Sequence, residues 1–374
     1  MMKSDAIVVG GGLAGSAAAI LLQRSGKKVL LLEKEPAAHH KVCGEFISYE
    51  AAHYLNALGL NLDHLGAEPI DNIRLIHGKK SVCVTLPFQA YSLSRLVLDE
   101  ALLTLAQTEG VEICRGTTVT EMHKDESIWK VTCATREATA KTLFLATGKH
   151  DVRGWKRPEG LRNDLIGFKI HYQLNPLQLK DLSRHVEIIL FKDGYAGLEP
   201  VENGKANLCL VVKKSRFAAC NKNWEFFLKN LLAQTPHLAH RLEGAVTDWS
   251  RPLAIYGIPY GFVFKPGPSD PAGLYRLGDQ IGVIPSFSGD GMAIALHTAV
   301  LAVSAYLKEN SYAYHSAAKK ELLPQIQHAA WMMTLISSPL SQNFVLDVCR
   351  MMPFILSFLA NKTRLRSMSP HDIV

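Results

Sequence analysis

Over the first 35 residues the apolar positions fall into two lengths of run. Ala6-Ile-Val-Val9 is a short apolar run closed by Gly10. Leu13 to Leu22 is a longer, nearly unbroken apolar stretch, and Val29-Leu-Leu-Leu32 is a second short run closed by Glu33 and Lys34. Short runs bounded by turn residues predict buried strands, and the longer one predicts a buried helix. The order is therefore strand, glycine turn, helix, strand, and each glycine in it has a physical task. Gly10 permits the tight turn, Gly12 lets backbone approach a pyrophosphate, and Gly15 lets helix and strand pack closely. The helix opens at Leu13 and Ala14, where unpaired N–H groups and a partial positive charge face the phosphates. Glu33 stands where a carboxylate accepts hydrogen bonds from ribose hydroxyls. This unit is predicted to hold a dinucleotide.

Further on, a loop through Lys41-Val-Cys43-Gly44-Glu45 leads to a helix predicted over about 49–58. Ile73–Ile76 and Ser81–Leu86 alternate around Gly78 as a hairpin. Ser92-Leu-Ser94-Arg95 opens a strong helix whose apolar face is Leu96, Leu98, Leu102, Leu103 and Leu105, with Gly110 as its stop. Strands are predicted at 111–114, 117–122 and 129–135, and a buried one at 141–146 runs into Thr147-Gly148. From about 166 to 261 the pattern is β-rich, with Asp193-Gly194 and Asn203-Gly204 as hairpin turns. Tyr275-Arg-Leu-Gly278-Asp279 returns to strand-then-glycine and precedes a helix near 292–308. The tail is predicted helical and broken at Pro324, Pro339 and Pro353.

Composition narrows the classes. At 374 residues and 48% hydrophobic content the chain holds more than one sizeable core. A net charge of +7 is spread in short clusters, which fits a solvated surface and no nucleic-acid face, with weak attraction to acidic carriers or anionic lipid open. Seven cysteines, none in a Cys-x-x-Cys pair, fit a reducing cytoplasm, and no metal site is expected. No apolar stretch reaches the ~18 residues that span a bilayer.

Two later segments join the opening one: Leu145-Ala-Thr147-Gly148, and Gly278-Asp279 with Pro285-Ser-Phe-Ser-Gly289-Asp-Gly291-Met292. Together the three resemble FAD-dependent oxidoreductases of the para-hydroxybenzoate-hydroxylase type over roughly the first 310 residues. That group includes aromatic monooxygenases, flavin-dependent halogenases and geranylgeranyl reductases. The resemblance implies an α/β fold. An FAD-binding Rossmann-like domain of glutathione-reductase type (1–75, 92–160 and 273–316) is interrupted by a mixed β-sheet substrate domain (76–91 and 161–272), and 317–374 forms C-terminal helices.

It also implies roles. Asp279 would hold the ribityl chain, and Pro285, Gly289, Gly291 and Met292 would line the flavin's pyrimidine edge, where a helix N-terminus stabilises negative charge. Arg95 would lie near flavin and pyrophosphate, and Val119 at the adenine. Cys43-Gly44 is similar to the geranylgeranyl reductase stretch and Gly44-Glu45 to the halogenase one. Beside the flavin, Cys43 or Glu45 could supply the proton that accompanies hydride transfer; packing is the alternative for each. Tyr195 could face the substrate or pack across the strands.

The favoured expectation is reduction of a carbon–carbon double bond in a lipophilic or carrier-bound substrate, as in the geranylgeranyl reductase branch. The alternatives are an aromatic monooxygenase and a non-enzymatic prenyl-binding escort. With a single dinucleotide unit, electrons would come from transiently docked NAD(P)H or a separate reductase. The Met-rich tail, with Trp331, Met351 and Met352, could wall a lipophilic tunnel, form plain core or touch a membrane peripherally.

Overall fold

The opening strand, Met2–Val9, lies in the middle of a seven-stranded sheet. It pairs in parallel with Val29–Leu32 on one side and Arg136–Leu145 on the other. Glu112–Cys114 and Leu274–Arg276 add further parallel strands, and Ile128–Cys133 and Val119–Asp125 continue the sheet antiparallel. Parallel strands covered on both faces read as continuous apolar runs, which is why the opening pattern did not alternate. The computed structural model describes residues 2–133, 136–158, 160, 163–267, 270–357 and 364–365.

Helix Leu13–Arg24 packs against this sheet together with Arg95–Thr108 and the very apolar Gly291–Leu307, forming one core. Burying each leucine, such as Leu21 or Leu22 at 1% exposure or less, contributes about 1.5–3 kcal/mol. The close packing rests on Gly15: a Cβ there would sit 1.8 Å from the Gly10 carbonyl oxygen.

The second sheet has eight strands. Its order is Leu253–Tyr256, Leu165–Tyr172, Lys205–Lys213, Gly194–Val201, His185–Phe191, Glu68–His77, Lys80–Ser92 and Phe46–Ile47. It is antiparallel except where His185–Phe191 runs parallel to Glu68–His77. This moves a boundary. The strand Glu68–His77 lies wholly in the second sheet, so that sheet's share of the chain begins before residue 76. The turns at Asp193 and at Asn203-Gly204 adopt the positive φ that tight hairpins need.

The tail departs from expectation in one respect. Ser311–Leu335 is a single helix that passes through Pro324. Pro324 and Lys320, the residue four earlier, are both exposed, so the carbonyl freed by the missing N–H reaches water. Pro339 instead starts helix Pro339–Met351 behind a Ser338 cap, a position proline tolerates. Of the expected C-terminal segment, residues 358–363 and 366–374 lie outside the described residues. No described helix is long and apolar enough to cross a membrane.

His315, buried at 4% exposure in that long helix, accepts a hydrogen bond from the Arg276 N–H through Nε2 at 3.3 Å. Burial, then the Arg276 charge, lowers its pKa from 6.5 to about 4, so it folds neutral. As pH falls through this window the unfolded chain takes up a proton that the native state refuses, and stability falls with it. His40, also lowered to about 4 by burial first, acts in the same window. His315→Gln keeps an acceptor and removes the titration. Its denaturant midpoint is expected to decline less than wild type's between pH 6.5 and pH 4; parallel declines would refute this.

Candidate active site

A cavity of about 500 Å³ runs between the first sheet's glycine turn and the inner face of the second sheet. It begins at Glu33, Lys34 and Thr117–Val119, passes Gly10, Gly12, Leu13 and Ala14, and continues past Gly278 and Asp279. It ends between Cys43, Gly44 and Glu45 on one side and Gly289, Gly291 and Met292 on the other. Arg95, Thr147 and Gly148 also line it. Three expected residues do not. Gly15 acts through packing, and Pro285 sits behind Ile284 and Ser286. Tyr195 is buried at 5% exposure and bonds through its hydroxyl to Ser286 Oγ at 2.5 Å. Tyr260, which does line the cavity, bonds the same Ser286 oxygen at 2.6 Å. Tyr195 therefore braces the loop that follows Pro285.

The groups lining the cavity fit an FAD. Helix Leu13–Arg24 has Gly12 at its N-cap and no side-chain cap, so its first N–H groups are available. Two cations converge there: a Cβ on Gly12 would lie 3.4 Å from Lys41 Nζ and 3.8 Å from an Arg95 guanidinium nitrogen. Both are held by Asp99, with Lys41 Nζ at 2.7 Å and Arg95 Nε at 2.8 Å. Burial alone would depress the Arg95 guanidinium, but Asp99 and the neighbouring Cys43 sulfur outweigh it and keep the charge. Glu33 accepts from the Gly11 N–H at 2.6 Å and the Glu35 N–H at 2.9 Å, which fixes its carboxylate in the cavity wall. Uncapped amides, two cations and a fixed acid suit a dinucleotide pyrophosphate and its ribose.

At the other end, helix Gly291–Leu307 also starts without a side-chain cap. The buried Asp290 before it is engaged from behind. It accepts from Gln325, from the Leu365 N–H at 3.0 Å and from Arg364 at 3.2 Å. Burial pushes the Asp290 carboxyl up to about 6, with Arg364 opposing and Glu50 adding to the rise. Arg364 also lies over the ring of Phe46, whose edge packs against Gly289.

The second sheet meets this cavity with a grid set by register. Gly167, Val211 and Tyr195 form one row, Lys169, Cys209 and Gly197 the next, and His171, Asn207 and Glu199 the third. Alternation puts all nine on one face. The polar members grip the Cys43–Glu45 loop. Glu45, left-handed at φ 65 and 0% exposed, accepts from Lys169 Nζ and from the Arg95 backbone N–H at 2.7 Å, and His171 Nε2 lies at 2.8 Å. Asn207 Nδ2 donates to the carbonyls of Gly44 at 2.9 Å and Cys43 at 3.2 Å.

This changes the expectation for Glu45. Burial would raise its pKa, but Lys169 and His171 prevail and hold it below the usual carboxylate range. A carboxylate clamped by three donors is an anchor for the loop and no proton donor. Cys43 lines the cavity, but its sulfur accepts from the Glu45 N–H at 3.3 Å and lies beside Arg95. His40, Glu45 and His171 are the grouping of metal-ligand type among the described residues. The ammonium of Lys169 already occupies the carboxylate where a cation would bind.

Lys169, His171 and Asn207 were not singled out from sequence. The signal was present: lysine and histidine at i and i+2 in an otherwise apolar strand must share one face, and buried charge there demands a partner. Of the three readings of the tail, the tunnel has no support in the cavity, since no described residue beyond Ala295 lines it. Trp331, Phe344, Met351 and Phe354 are instead exposed, because their helices bury the opposite face, including Met333, Leu346 and Cys349.

Comparison with known proteins agrees with this reading. Residues 5–153 match the family described as FAD dependent oxidoreductase. A search of curated protein sequences finds no match. Among solved structures the chain is similar to the flavin-dependent brominase Bmp2, with 18% identity, 99% of this chain and 97% of that one covered, and a TM-score of 0.79. It is similar to the halogenase PltM at 15% identity, covering 97% and 87%, TM-score 0.73. It is also similar to PqsL of Pseudomonas aeruginosa, described as a probable FAD-dependent monooxygenase, at 17% identity, covering 92% and 100%, TM-score 0.69. Over residues 5–153 the chain matches the FAD-dependent oxidoreductase family, and over nearly its whole length it shares the fold of these flavin-dependent enzymes.

Proposed function

We propose that the protein is an oxygen-using FAD enzyme, a monooxygenase acting on a small, largely apolar aromatic molecule. The observation that carries this is the wall opposite the expected flavin end: Gly167, Cys209, Val211, Ile255, Ile258 and Tyr260. None of them carries charge, and such a lining excludes water from a reactive site. Among the described residues of that wall, the hydroxyl set of Tyr260 and Ser286 is a polar handle suited to a substrate hydroxyl or amine. FAD, when bound, supplies the electron transfer to oxygen. The chain's residues do the rest: Lys41 and Arg95 hold the pyrophosphate, Asp279 the ribityl chain, and the Glu45 clamp fixes the loop facing the ring.

Reduction of a double bond has less support. It needs a proton donor beside the flavin, and Glu45 is held as a carboxylate. The fold relatives whose names state a reaction are mostly halogenases and a monooxygenase, with one flavoprotein/dehydrogenase among them. Electrons are proposed to come from transiently docked NAD(P)H or a separate reductase, since the described residues hold one dinucleotide turn.

Reduced, FAD-loaded protein given phenols, anilines and prenyl alkenes, with oxygen and bromide, separates the readings by mass spectrometry. One oxygen atom gained from labelled O2 supports the proposal. Bromine in the product would move it to a halogenase, and two hydrogens gained without oxygen would overturn it. Cys43→Ser provides a second check. A general acid contributes about 10²–10⁴-fold to turnover; a much smaller loss is expected here, with FAD retained. A loss of that size would restore the thiol's catalytic role.

A further inference from the structure

Glu199 is a buried acid that neither the clamp nor the cavity uses. It is 2% exposed, and both of its carboxyl oxygens lack a hydrogen-bond partner. It stands directly across the strand pair from Asn207, with Tyr195 and Gly197 on the same face. Asn207 is half satisfied in a complementary way. Its Nδ2 is spent on the carbonyls of Cys43 and Gly44, while its buried Oδ1 has no donor. Those two carbonyls also fix which way the amide faces, because only the nitrogen can donate to them.

An acceptor without a donor beside an acid without a partner is resolved by one proton. We propose that Glu199 is a positioning acid: it keeps its proton, donates it to Asn207 Oδ1, and so fixes the amide that holds the Cys43–Gly44 backbone against the cofactor. No atom is transferred in this role. The O–H bond stays intact, and a chain of two hydrogen bonds runs from Glu199 through Asn207 to the loop.

The surroundings favour the neutral form. Burial comes first and then Glu45 and the Cys43 sulfur, both on the loop, holding the carboxyl well above its ordinary range. Lys169, two strands away, opposes this only in part, as does the nearby amide nitrogen of Asn207, whose N–H groups go to the loop carbonyls. Lys169 is already committed to Glu45. Ionising Glu199 would leave two buried carboxylates sharing that one ammonium and would turn Asn207 away from the loop. Alkaline pH should therefore loosen the loop and weaken FAD binding.

Two variants test this. Glu199→Gln keeps a donor for Asn207 and cannot ionise; Glu199→Leu removes the donor at similar volume. Infrared spectra of the protein without FAD are expected to show a protonated-carboxyl C=O band at neutral pH that Glu199→Gln abolishes. FAD titrations are expected to show affinity falling at alkaline pH in wild type, a flatter profile in Glu199→Gln, and about tenfold weaker binding at neutral pH in Glu199→Leu. If Glu199→Leu does not fold, the band and the profile of Glu199→Gln decide alone. An unchanged band in Glu199→Gln, or the same alkaline decline in wild type and Glu199→Gln, overturns the proposal. Because the infrared band needs no FAD, failure of the cofactor reading would be seen separately.

Discussion

Gly15→Ala is expected to yield protein that carries little or no FAD and melts well below wild type. The added Cβ would stand 1.8 Å from the Gly10 carbonyl oxygen and 3.2 Å from the Ala146 Cβ. The first of these is backbone, so no side chain can rotate out of the way. Overpacking of this kind costs typically about 1–3 kcal/mol and more where backbone must move. Relief by sliding helix Leu13–Arg24 outward would carry its free N–H groups away from Lys41 and Arg95. Stability and cofactor retention should therefore fall together, read as the flavin-to-protein absorbance ratio and the melting temperature. A variant that copurifies with a full complement of FAD at unchanged Tm would show that the helix does not need this approach.

Lys169→Met has the second-largest expected effect. It replaces a fully buried ammonium by an apolar chain of similar length and leaves the Glu45 carboxylate, also 0% exposed, without its main counter-charge. Removing one partner of a buried pair costs about 3–5 kcal/mol. The loss has a pH signature. Glu45 is held below the ordinary 4.5 in wild type, so the pair's contribution is present above that pH and fades as pH falls. Without Lys169 the carboxyl takes up a proton more readily, and the gap between variant and wild type should be widest at neutral pH and narrow toward acid. Adding Glu45→Gln removes the stranded charge and should recover much of the stability. Denaturant unfolding of the single and double variants decides it: a double variant no better than Lys169→Met would mean that the pair's charge is not what holds the loop.

What could be read from the sequence, and what could not, divides along chain separation. Gly10, Gly12 and Gly15 shape the backbone of one tight turn, and Glu33 reaches the Gly11 N–H within the same strand–turn–helix–strand unit, so their spacing was legible there. The strands and most helices were legible for the same reason, since period and caps are local. Pro324 misled because solvent satisfies a freed carbonyl, and exposure is not a local property. The Glu45 clamp was invisible because its partners lie 124 and 126 residues away. Only the register between strands Leu165–Tyr172, Lys205–Lys213 and Gly194–Val201 turns scattered polar residues into rows. Tyr195 was placed near the reaction, yet its hydroxyl goes to Ser286, a contact 91 residues distant.

The contact of Arg364 and Leu365 with Asp290 has a consequence for how the protein is made. The cavity draws its walls from positions as far apart as Val9 and Ala295, and Asp290, the residue before its last helix, is held from behind by residues 364 and 365 as well as by Gln325. While the chain emerges from the ribosome, the glycine turn is complete early and can meet the adenosine end of the cofactor. The ring end has no finished cradle until synthesis has passed Leu365. A product stopped short of residue 364 would thus carry the glycine fingerprint without the contacts that hold Asp290 at the other end.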